Sequence, residues 1–301
     1  MKVQLIHNPA SGSHHELRLD ILAQAFAACG ASVTSSETRL GGATEIHSDS
    51  DLLCVSGGDG TLGLVISALI QQGMSVPVCV FPAGTVNLVA RELGYADDPE
   101  LFAREVMTGF VAGSSARLTE PLLVADGSPV IACLSAGPDG VAVSSHSPEW
   151  KKRFGKAAYA MSFLKLFAQW PRYRFDLQVD GKDDPVTHGC EAFYIAKGRF
   201  FAGPWSLSPD ASLGQDDFEL VLLNRASRGT FLRFMWAIAR GKDPGNLPHV
   251  QRMRARSLTL ATSPHPNALT AFQIDGDPME AIPATIEITS HKIEYCLPRA
   301  G

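Results

Sequence analysis

The alternation of apolar and polar positions divides this chain into two textures. Over the first third, short β-branched runs at 3–7, 32–38, 52–56 and 76–81 alternate with stretches of helical spacing at 15–28, 61–72 and 86–93. Strands alternating with helices predict βα units on a parallel sheet, since a helix supplies the crossover that parallel strands need. From about residue 117 onward, strand-like segments punctuated by Gly and Pro take over, at 122–125, 130–135, 175–179, 191–196 and 218–223, then at 257–261, 271–274 and 285–290. That texture predicts antiparallel β structure. Helical stretches at 150–169 and 229–240 interrupt it, and no internal repeat or low-complexity tract is visible. The pattern therefore reads as an α/β domain over 1–120 and a β domain with helical inserts over 121–301, with the border near 117–125.

Composition sharpens this picture. With 301 residues, 45% of them hydrophobic and 19% charged, the chain can fill the cores of two domains. A net charge of −5 argues against a general polyanion binder, so no nucleic-acid partner is expected. Local charge differs from the average. Residues 150–174 carry seven basic and no acidic side chains among Trp150, Phe154, Tyr159, Phe163, Phe167 and Trp170, and residues 225–256 carry eight basic and one acidic. Such segments suit transient docking on anionic lipid headgroups, or equally the solvated outer faces of amphipathic helices. The longest mostly apolar stretch, 157–170, is broken by Lys165 and is shorter than the roughly 20 residues of a membrane span. The apolar run after Met1 breaks at Asn8-Pro9, which does not read as a secretory signal. The expected location is the cytoplasm, with a peripheral position at the inner membrane surface as the further candidate. Six scattered cysteines, at 29, 54, 79, 133, 190 and 296, show no metal-type spacing and read as reduced core thiols.

The segment with most chemistry is Leu52-Leu53-Cys54-Val55-Ser56-Gly57-Gly58-Asp59-Gly60-Thr61-Leu62-Gly63, a buried-strand pattern running through glycines into a helix. Glycines let backbone approach a polyanion, and the free N–H groups of a helix N-terminus favour negative charge. A dinucleotide fold would place an acidic residue about 20 positions on, but the next strand ends in Pro82-Ala83-Gly84. No GxxxxGK[ST] occurs, and no HRD or DFG follows, so P-loop enzymes and protein kinases are excluded. Asp59 inside a phosphate cradle would repel phosphate unless a divalent cation or hydrogen bonds intervene, which points to a metal nucleotide. The alternative is that Asp59 caps the helix starting at Thr61.

Asn8-Pro9-Ala10-Ser11-Gly12, Gly57-Gly58-Asp59-Gly60-Thr61 and Pro82-Ala83-Gly84-Thr85-Val86-Asn87 stand in the order found in the diacylglycerol kinase catalytic-domain superfamily, which the chain resembles. That superfamily includes bacterial soluble lipid kinases, sphingosine and ceramide kinases and, more remotely, NAD kinases. Phe272-Gln273-Ile274-Asp275-Gly276-Asp277 sits where the family carries a DGE-type motif, so the resemblance spans almost the whole chain. It implies an NAD kinase-like α/β nucleotide domain, a C-terminal antiparallel β-sandwich, an active site in the cleft between them, and an extreme C-terminus that is a candidate to pack back on the first domain. It also implies ATP and Mg²⁺ as cofactors. Carried over by position, ATP contacts fall on Thr38, Gly57, Gly58, Asp59, Gly60, Thr61, Leu62, Gly63 and Thr85, with less defined roles for Asn8, Ser11 and Asn87.

Phosphoryl transfer to a hydroxyl needs a carboxylate to accept the proton. Asp275 and Asp277 are the candidates, alongside Asp59. The family's last motif position is usually Glu, and Asp277 is one methylene shorter; the alternative is that Asp277-Pro278 simply closes a hairpin. In 208–218, where relatives have a structural magnesium loop, Ser212, Gln215 and Asp217 fall on the metal positions; Gln215 removes a charge that Mg²⁺ would use, which leaves the backbone carbonyls of Ser212 and Asp217, a substitute ligand in Asp216, or no site. A solvated acidic turn is the alternative there. Lys197-Gly198-Arg199 replaces a glycine-rich stretch, and Gly137-Pro138-Asp139 stands near a family Gly-Phe-Asp motif. The resemblance implies an ATP-dependent kinase of diacylglycerol or a similar long-chain lipid presented by a membrane or micelle. A nucleotide- or lipid-binding regulator and an NAD kinase-like enzyme remain alternatives, and a homodimer is left open.

Overall fold

The structure, a computed structural model, describes residues 1–9, 16–38, 44–144, 166–168, 170, 172–180, 187–260 and 268–300. Ser11 and most of segment 150–174 lie outside the described residues. The chain divides into two units, one of residues 1–122 with 289–301, the other of residues 123–288.

The first unit contains β1 (Lys2–His7), α1 (Glu16–Ala28), β2 (Ser32–Glu37), β3 (Leu52–Gly57), α2 (Asp59–Gln71), β4 (Val78–Pro82), α3 (Leu88–Glu92), α4 (Pro99–Val111) and the start of β5 (Arg117–Ala125). β1 lies between β2 and β3 and is parallel to both, and β4 continues the sheet in parallel beyond β3. Every residue of β3 is buried, the continuous apolar run of a central parallel strand. Leu62, Val65, Ile66 and Leu69 give α2 its buried face. α1 buries Leu22 and Phe26 at i, i+4, and the Phe26 ring meets Phe102 of α4 edge-on at 6.1 Å.

Local chemistry shifts some boundaries. α2 begins at Asp59, two residues before the predicted start, because Gly58 is extended and already serves as its N-cap. α3 begins only at Leu88, because Asn87 is left-handed at φ 55° and cannot be helical. α4 is a helix that periodicity overlooked. Its signal is present in the sequence: Asp98 accepts from the Leu101 N–H at 2.8 Å, Pro99 opens the helix, and Phe102 and Val106 follow on the buried face.

The second unit contains the end of β5, then β6 (Ser128–Val130), β7 (Cys133–Ala136), α5 (Pro138–Ser144), β8 (Phe175–Val179), β9 (Thr187–Cys190), β10 (Ala192–Ala196), β11 (Phe200–Ala202), β12 (Trp205–Ser206), β13 (Phe218–Leu223), α6 (Arg228–Ala239), β14 (Val250–Ala255), β15 (Ser257–Leu260), β16 (Phe272–Ile274), β17 (Asp277–Pro278) and the start of β18 (Thr285–Cys296). Six strands form an antiparallel sheet in the order β14-β13-β10-β7-β16-β17. A second layer pairs β15 with β8 and β18 and β8 with β9, all antiparallel. Phe193 and Phe272 from the six-stranded sheet meet Phe175 from the other layer edge-on at 5.4 and 5.6 Å, closing the sandwich core with Leu177, Leu220 and Leu258. The opposite face of the six-stranded sheet, carrying Tyr194, Val221 and Leu223, is covered by Phe231, Phe234 and Ile238 of α6. The fold is thus an α/β N-terminal domain and an antiparallel β domain. β14 was not foreseen, since its run of arginines hides the alternation of an edge strand.

The end of β18 returns to the first unit, where Tyr295 pairs in parallel with Val78 of β4. The Tyr95 hydroxyl donates to the Cys296 carbonyl at 2.7 Å, and Leu297 N–H to the Ala116 carbonyl at 2.9 Å. All six cysteines are free and five are buried; Cys29 is exposed, so it is not a core thiol as the sequence reading supposed. Among the described residues no helix is long and apolar enough to cross a membrane.

Candidate functional site

In the first unit the glycine loop and the segment 82–87 touch through bare backbone. A Cβ built on Gly84 would stand 2.5 Å from the Gly58 Cα, and one on Gly57 would stand 2.5 Å from the Thr61 hydroxyl. Neither position admits a side chain without moving backbone or a packed Thr. Asn87 holds the second loop shut: its carbonyl oxygen accepts from Gly84 N–H at 2.9 Å and its amide donates to Gly84 O at 2.8 Å.

Asp59 joins the two loops. One carboxylate oxygen accepts from Leu88 N–H at 2.8 Å and the other from Val89 N–H at 3.0 Å. It therefore caps α3, 29 residues away, and not the helix it begins; no side chain caps α2. The group is buried, and that burial pushes its pKa up against the pull of the backbone donors. With one N–H on each oxygen, Asp59 fixes the two loops to each other. What remains open at the loop is the uncapped N-terminus of α2, whose first-turn N–H groups have no helical acceptor.

The other carried-over positions divide. Gly60 and Gly63 sit half-buried on α2, and Thr85 is exposed at the tip of the 82–87 loop. Thr61 is buried under Gly57, and Thr38 is buried at the end of β2 with its N–H on the His7 carbonyl at 2.8 Å. Leu62 is fully buried in the core, so its side chain is no nucleotide contact. Asn8 follows β1 and is half-buried.

In the second unit, Asp275 and Gly276 take φ 50° and 88°, the pair of left-handed residues that a two-residue hairpin requires. The turn joins β16 to β17, so Asp277-Pro278 does close a hairpin. The Asp275 carboxylate accepts from the N–H groups of Ile131, Ala132 and Cys133 at 2.9, 2.8 and 2.9 Å. Two other aspartates do the same in this unit. Asp126, at φ 45°, accepts from Ala284 and Thr285, and Asp180, at φ 57°, accepts from Arg256 and Ser257. Each is an Asp-Gly in sequence whose carboxylate fastens a neighbouring strand. Asp275 belongs with these fasteners, with three backbone N–H groups on its carboxylate. Asp277 stays exposed on β17.

Behind this hairpin lies a polar cluster that the sequence reading noted only as a motif departure. The Gln273 amide donates to the Ser135 hydroxyl at 2.8 Å, and Ser135 donates to Asp139 on α5. Gln273 also accepts from Gly276 N–H at 2.8 Å, linking the cluster to the turn. Burial raises the Asp139 pKa to about 6, against the Ser135 and Tyr194 hydroxyls that favour its charge.

The segment 208–217 does not fit a divalent cation. The Lys197 ammonium, itself buried, donates to the Gln215 carbonyl at 2.5 Å. Arg254 donates to the Gln215 side chain at 3.1 Å and lies 3.5 Å from Asp217. Asp216 pairs with Arg256 at 2.6 Å and Asp210 with Arg252 at 2.7 Å. Ser212 is exposed, and its hydroxyl lies 3.3 Å from the Leu213 carbonyl. Lysine and arginine hold the Gln215 carbonyl and side chain and the carboxylates of Asp210, Asp216 and Asp217, and another cation beside them would be repelled. Of the positions assigned to a metal, Gln215 and Asp217 thus face Lys197 and Arg254, and Ser212 lies exposed beside them. Among the described residues no group of His, Cys, Asp and Glu is arranged to hold a metal.

Comparison with known proteins follows the same division. Residues 2–113 match the family described as Diacylglycerol kinase catalytic domain, and residues 132–296 match the YegS C-terminal NAD kinase beta sandwich-like domain. A protein named Diacylglycerol kinase from Staphylococcus epidermidis is 25% identical over 309 residues, covering 99% of this chain and 92% of its own. One of the same name from Bacillus subtilis is 25% identical over 251 residues, 80% of each chain. A diacylglycerol kinase crystal structure from Bacillus anthracis superposes with a TM-score of 0.74 at 19% identity, covering 98% of this chain and 96% of that one. An NAD kinase from Archaeoglobus fulgidus in complex with ATP superposes with a TM-score of 0.52 at 15% identity, covering 98% and 93%.

Proposed function

We infer that this chain, which belongs to the diacylglycerol kinase family and carries that family's NAD kinase-like C-terminal β domain, transfers the γ-phosphoryl group of ATP to a hydroxyl of diacylglycerol or a similar long-chain lipid. The observation that carries the reading is the locked pair of loops at the open end of α2. Gly57, Gly58 and Gly84 keep side chains away from the backbone there, and Asp59 and Asn87 fix the loops to each other and to themselves. Such a surface suits the phosphates of a nucleotide.

Transfer itself asks little covalent chemistry of the protein beyond orientation and charge neutralisation. On this reading the α2 N-terminus receives phosphate charge and the acceptor hydroxyl attacks the γ-phosphorus in line as the bond to ADP breaks; Asp277 is the candidate for the carboxylate that takes the hydroxyl proton. Asp277 is preferred to Asp275 because the oxygens of Asp275 already accept three backbone N–H groups. A weakly catalytic regulator is the second reading, and the lysine- and arginine-filled loop at 208–217 is what favours it.

The test is ADP release from MgATP with mixed micelles of diacylglycerol, monoacylglycerol, ceramide or sphingosine, with the product weighed by mass spectrometry and Asp277→Asn as control. A phosphorylated lipid that falls at least about a hundredfold in the variant supports the kinase and its base. ATP binding with no product from any lipid supports the regulator.

A further inference from the structure

The surface of α6 is unusual for a helix that covers a sheet. Phe231, Phe234 and Ile238 are buried, whereas Leu232 and Trp236 are 48% and 64% exposed. At 100° per residue, Gly229, Leu232, Arg233, Trp236 and Arg240 fall on one stripe opposite the buried one. The Arg240 guanidinium stacks over the Trp236 ring at 4.9 Å. Residues 225–242 hold five basic side chains, Arg225, Arg228, Arg233, Arg240 and Lys242, and no acidic one.

A cavity of about 310 Å³ opens at the start of this stripe, lined among others by Arg225, Ser227, Thr230, Arg233 and His249. The nearby carboxylates are engaged elsewhere. Glu191 accepts from Arg172 and from Ala226 N–H, and Asp243 accepts from Gly245 N–H and Arg252. Arg225 and Arg233 are exposed and have no carboxylate partner among the described residues.

We propose that this outer face of α6 docks the protein on an anionic phospholipid bilayer, with Leu232 and Trp236 entering the interface and Arg225 and Arg233 receiving a phosphate headgroup in the adjoining cavity. Three features select this occupant. Arginines flanking exposed apolar side chains match a surface that is negative outside and apolar beneath. A second copy of this chain related by two-fold symmetry would bring Arg233 and Arg240 of each copy against those of the other. A nucleic acid would leave Leu232 without an apolar partner. The proposal deepens the lipid-kinase reading, but its primary readout is binding, which needs no turnover.

The experiment uses the full chain in co-sedimentation with phosphatidylcholine vesicles, with and without phosphatidylglycerol, at low and high salt, with duplex DNA as a competitor. The wild type is expected to bind the anionic vesicles preferentially, and Arg225→Glu/Arg233→Glu to weaken that binding at least about tenfold. Leu232→Ser/Trp236→Ser should abolish the salt-resistant remainder, and Trp236→Phe should remove the vesicle-induced blue shift of tryptophan emission. Circular dichroism melting checks that each variant is folded. Vesicle binding unchanged in both double variants overturns the proposal. So does preference for DNA, or a Leu232→Ser/Trp236→Ser variant that turns a dimer into a monomer while binding vesicles normally. Turnover of a short-chain, water-soluble diacylglycerol separates the two ideas. If that is absent while vesicle binding follows the expected pattern, the kinase reading fails and the docking surface stands.

Discussion

Replacing Asp59 by Asn tests whether the carboxylate positions or reacts. Its two oxygens accept from Leu88 and Val89 at 2.8 and 3.0 Å in a buried setting, and hydrogen bonds to a charged group contribute about 1.5–3 kcal/mol each. The amide keeps one acceptor and turns an N–H toward another N–H, losing one bond and leaving a donor unsatisfied, about 2–4 kcal/mol. Burial already raises the pKa of this carboxyl, so a neutral amide recovers part of that loss. The net expectation is about 1–3 kcal/mol of destabilisation, and Asp59→Ala, which removes both acceptors, should cost about 3–5 kcal/mol. Urea unfolding read by intrinsic fluorescence measures both, and ATP binding measured by calorimetry should weaken in the same order as the loops separate. An Asp59→Asn protein of wild-type stability and wild-type ATP affinity, with turnover lost, would refute the positioning role and return Asp59 to the chemistry.

Asp139 predicts a pH signature. Its folded pKa of about 6 lies above the ordinary 3.8, so the unfolded chain releases this proton first as pH rises. Its favourable contribution is complete below about pH 4 and is lost by about pH 6, a fall of about 3 kcal/mol in all. Asp139→Asn should therefore flatten the stability profile and gain on the wild type toward pH 7; parallel urea profiles for the two proteins from pH 4 to 7 would contradict this. At the 208–217 loop, the melting temperature without nucleotide should be the same in EDTA and in Mg²⁺. Lys197→Met should lower stability by about 1.5–3 kcal/mol without rescue by Mg²⁺, and saturable stabilisation of the wild type by Mg²⁺ would show that the loop takes a metal after all.

What was legible in the sequence was local. The glycine loop, the hairpin glycine at 276 and the alternation of strands with helices each depend on neighbours a few residues apart. Partnerships across long separations were not legible, and they give the motif carboxylates a structural task. Asp59 meets Leu88 and Val89 across about 30 residues, and Asp275 meets Ile131 to Cys133 across about 140. No window of sequence shows that a carboxylate in a family motif already accepts two or three backbone amides. The repeated Asp-Gly at 126, 180 and 275 was the available hint, since three turns with one chemistry suggest one structural task. The arginines at 252, 254 and 256 offered another, because period-two spacing places them on one face of a strand beside an acidic loop.

The return of residues 289–301 to the first unit bears on how the protein is made. Tyr295 and Cys296 are fully buried there, and Leu297 crosses so close to Gly109 that a Cβ on that glycine would stand 2.0 Å from the Leu297 carbonyl oxygen. During synthesis, which proceeds from the N-terminus, residues 1–122 emerge first yet lack the strand that pairs beside Val78 until Tyr295 has been translated. Its apolar sheet edge must wait exposed while the β domain is translated. Completion of the first unit's fold is then coupled to residues 289–300, so chains that stop short of Tyr295 should be more open to proteolysis in that unit than chains that include it.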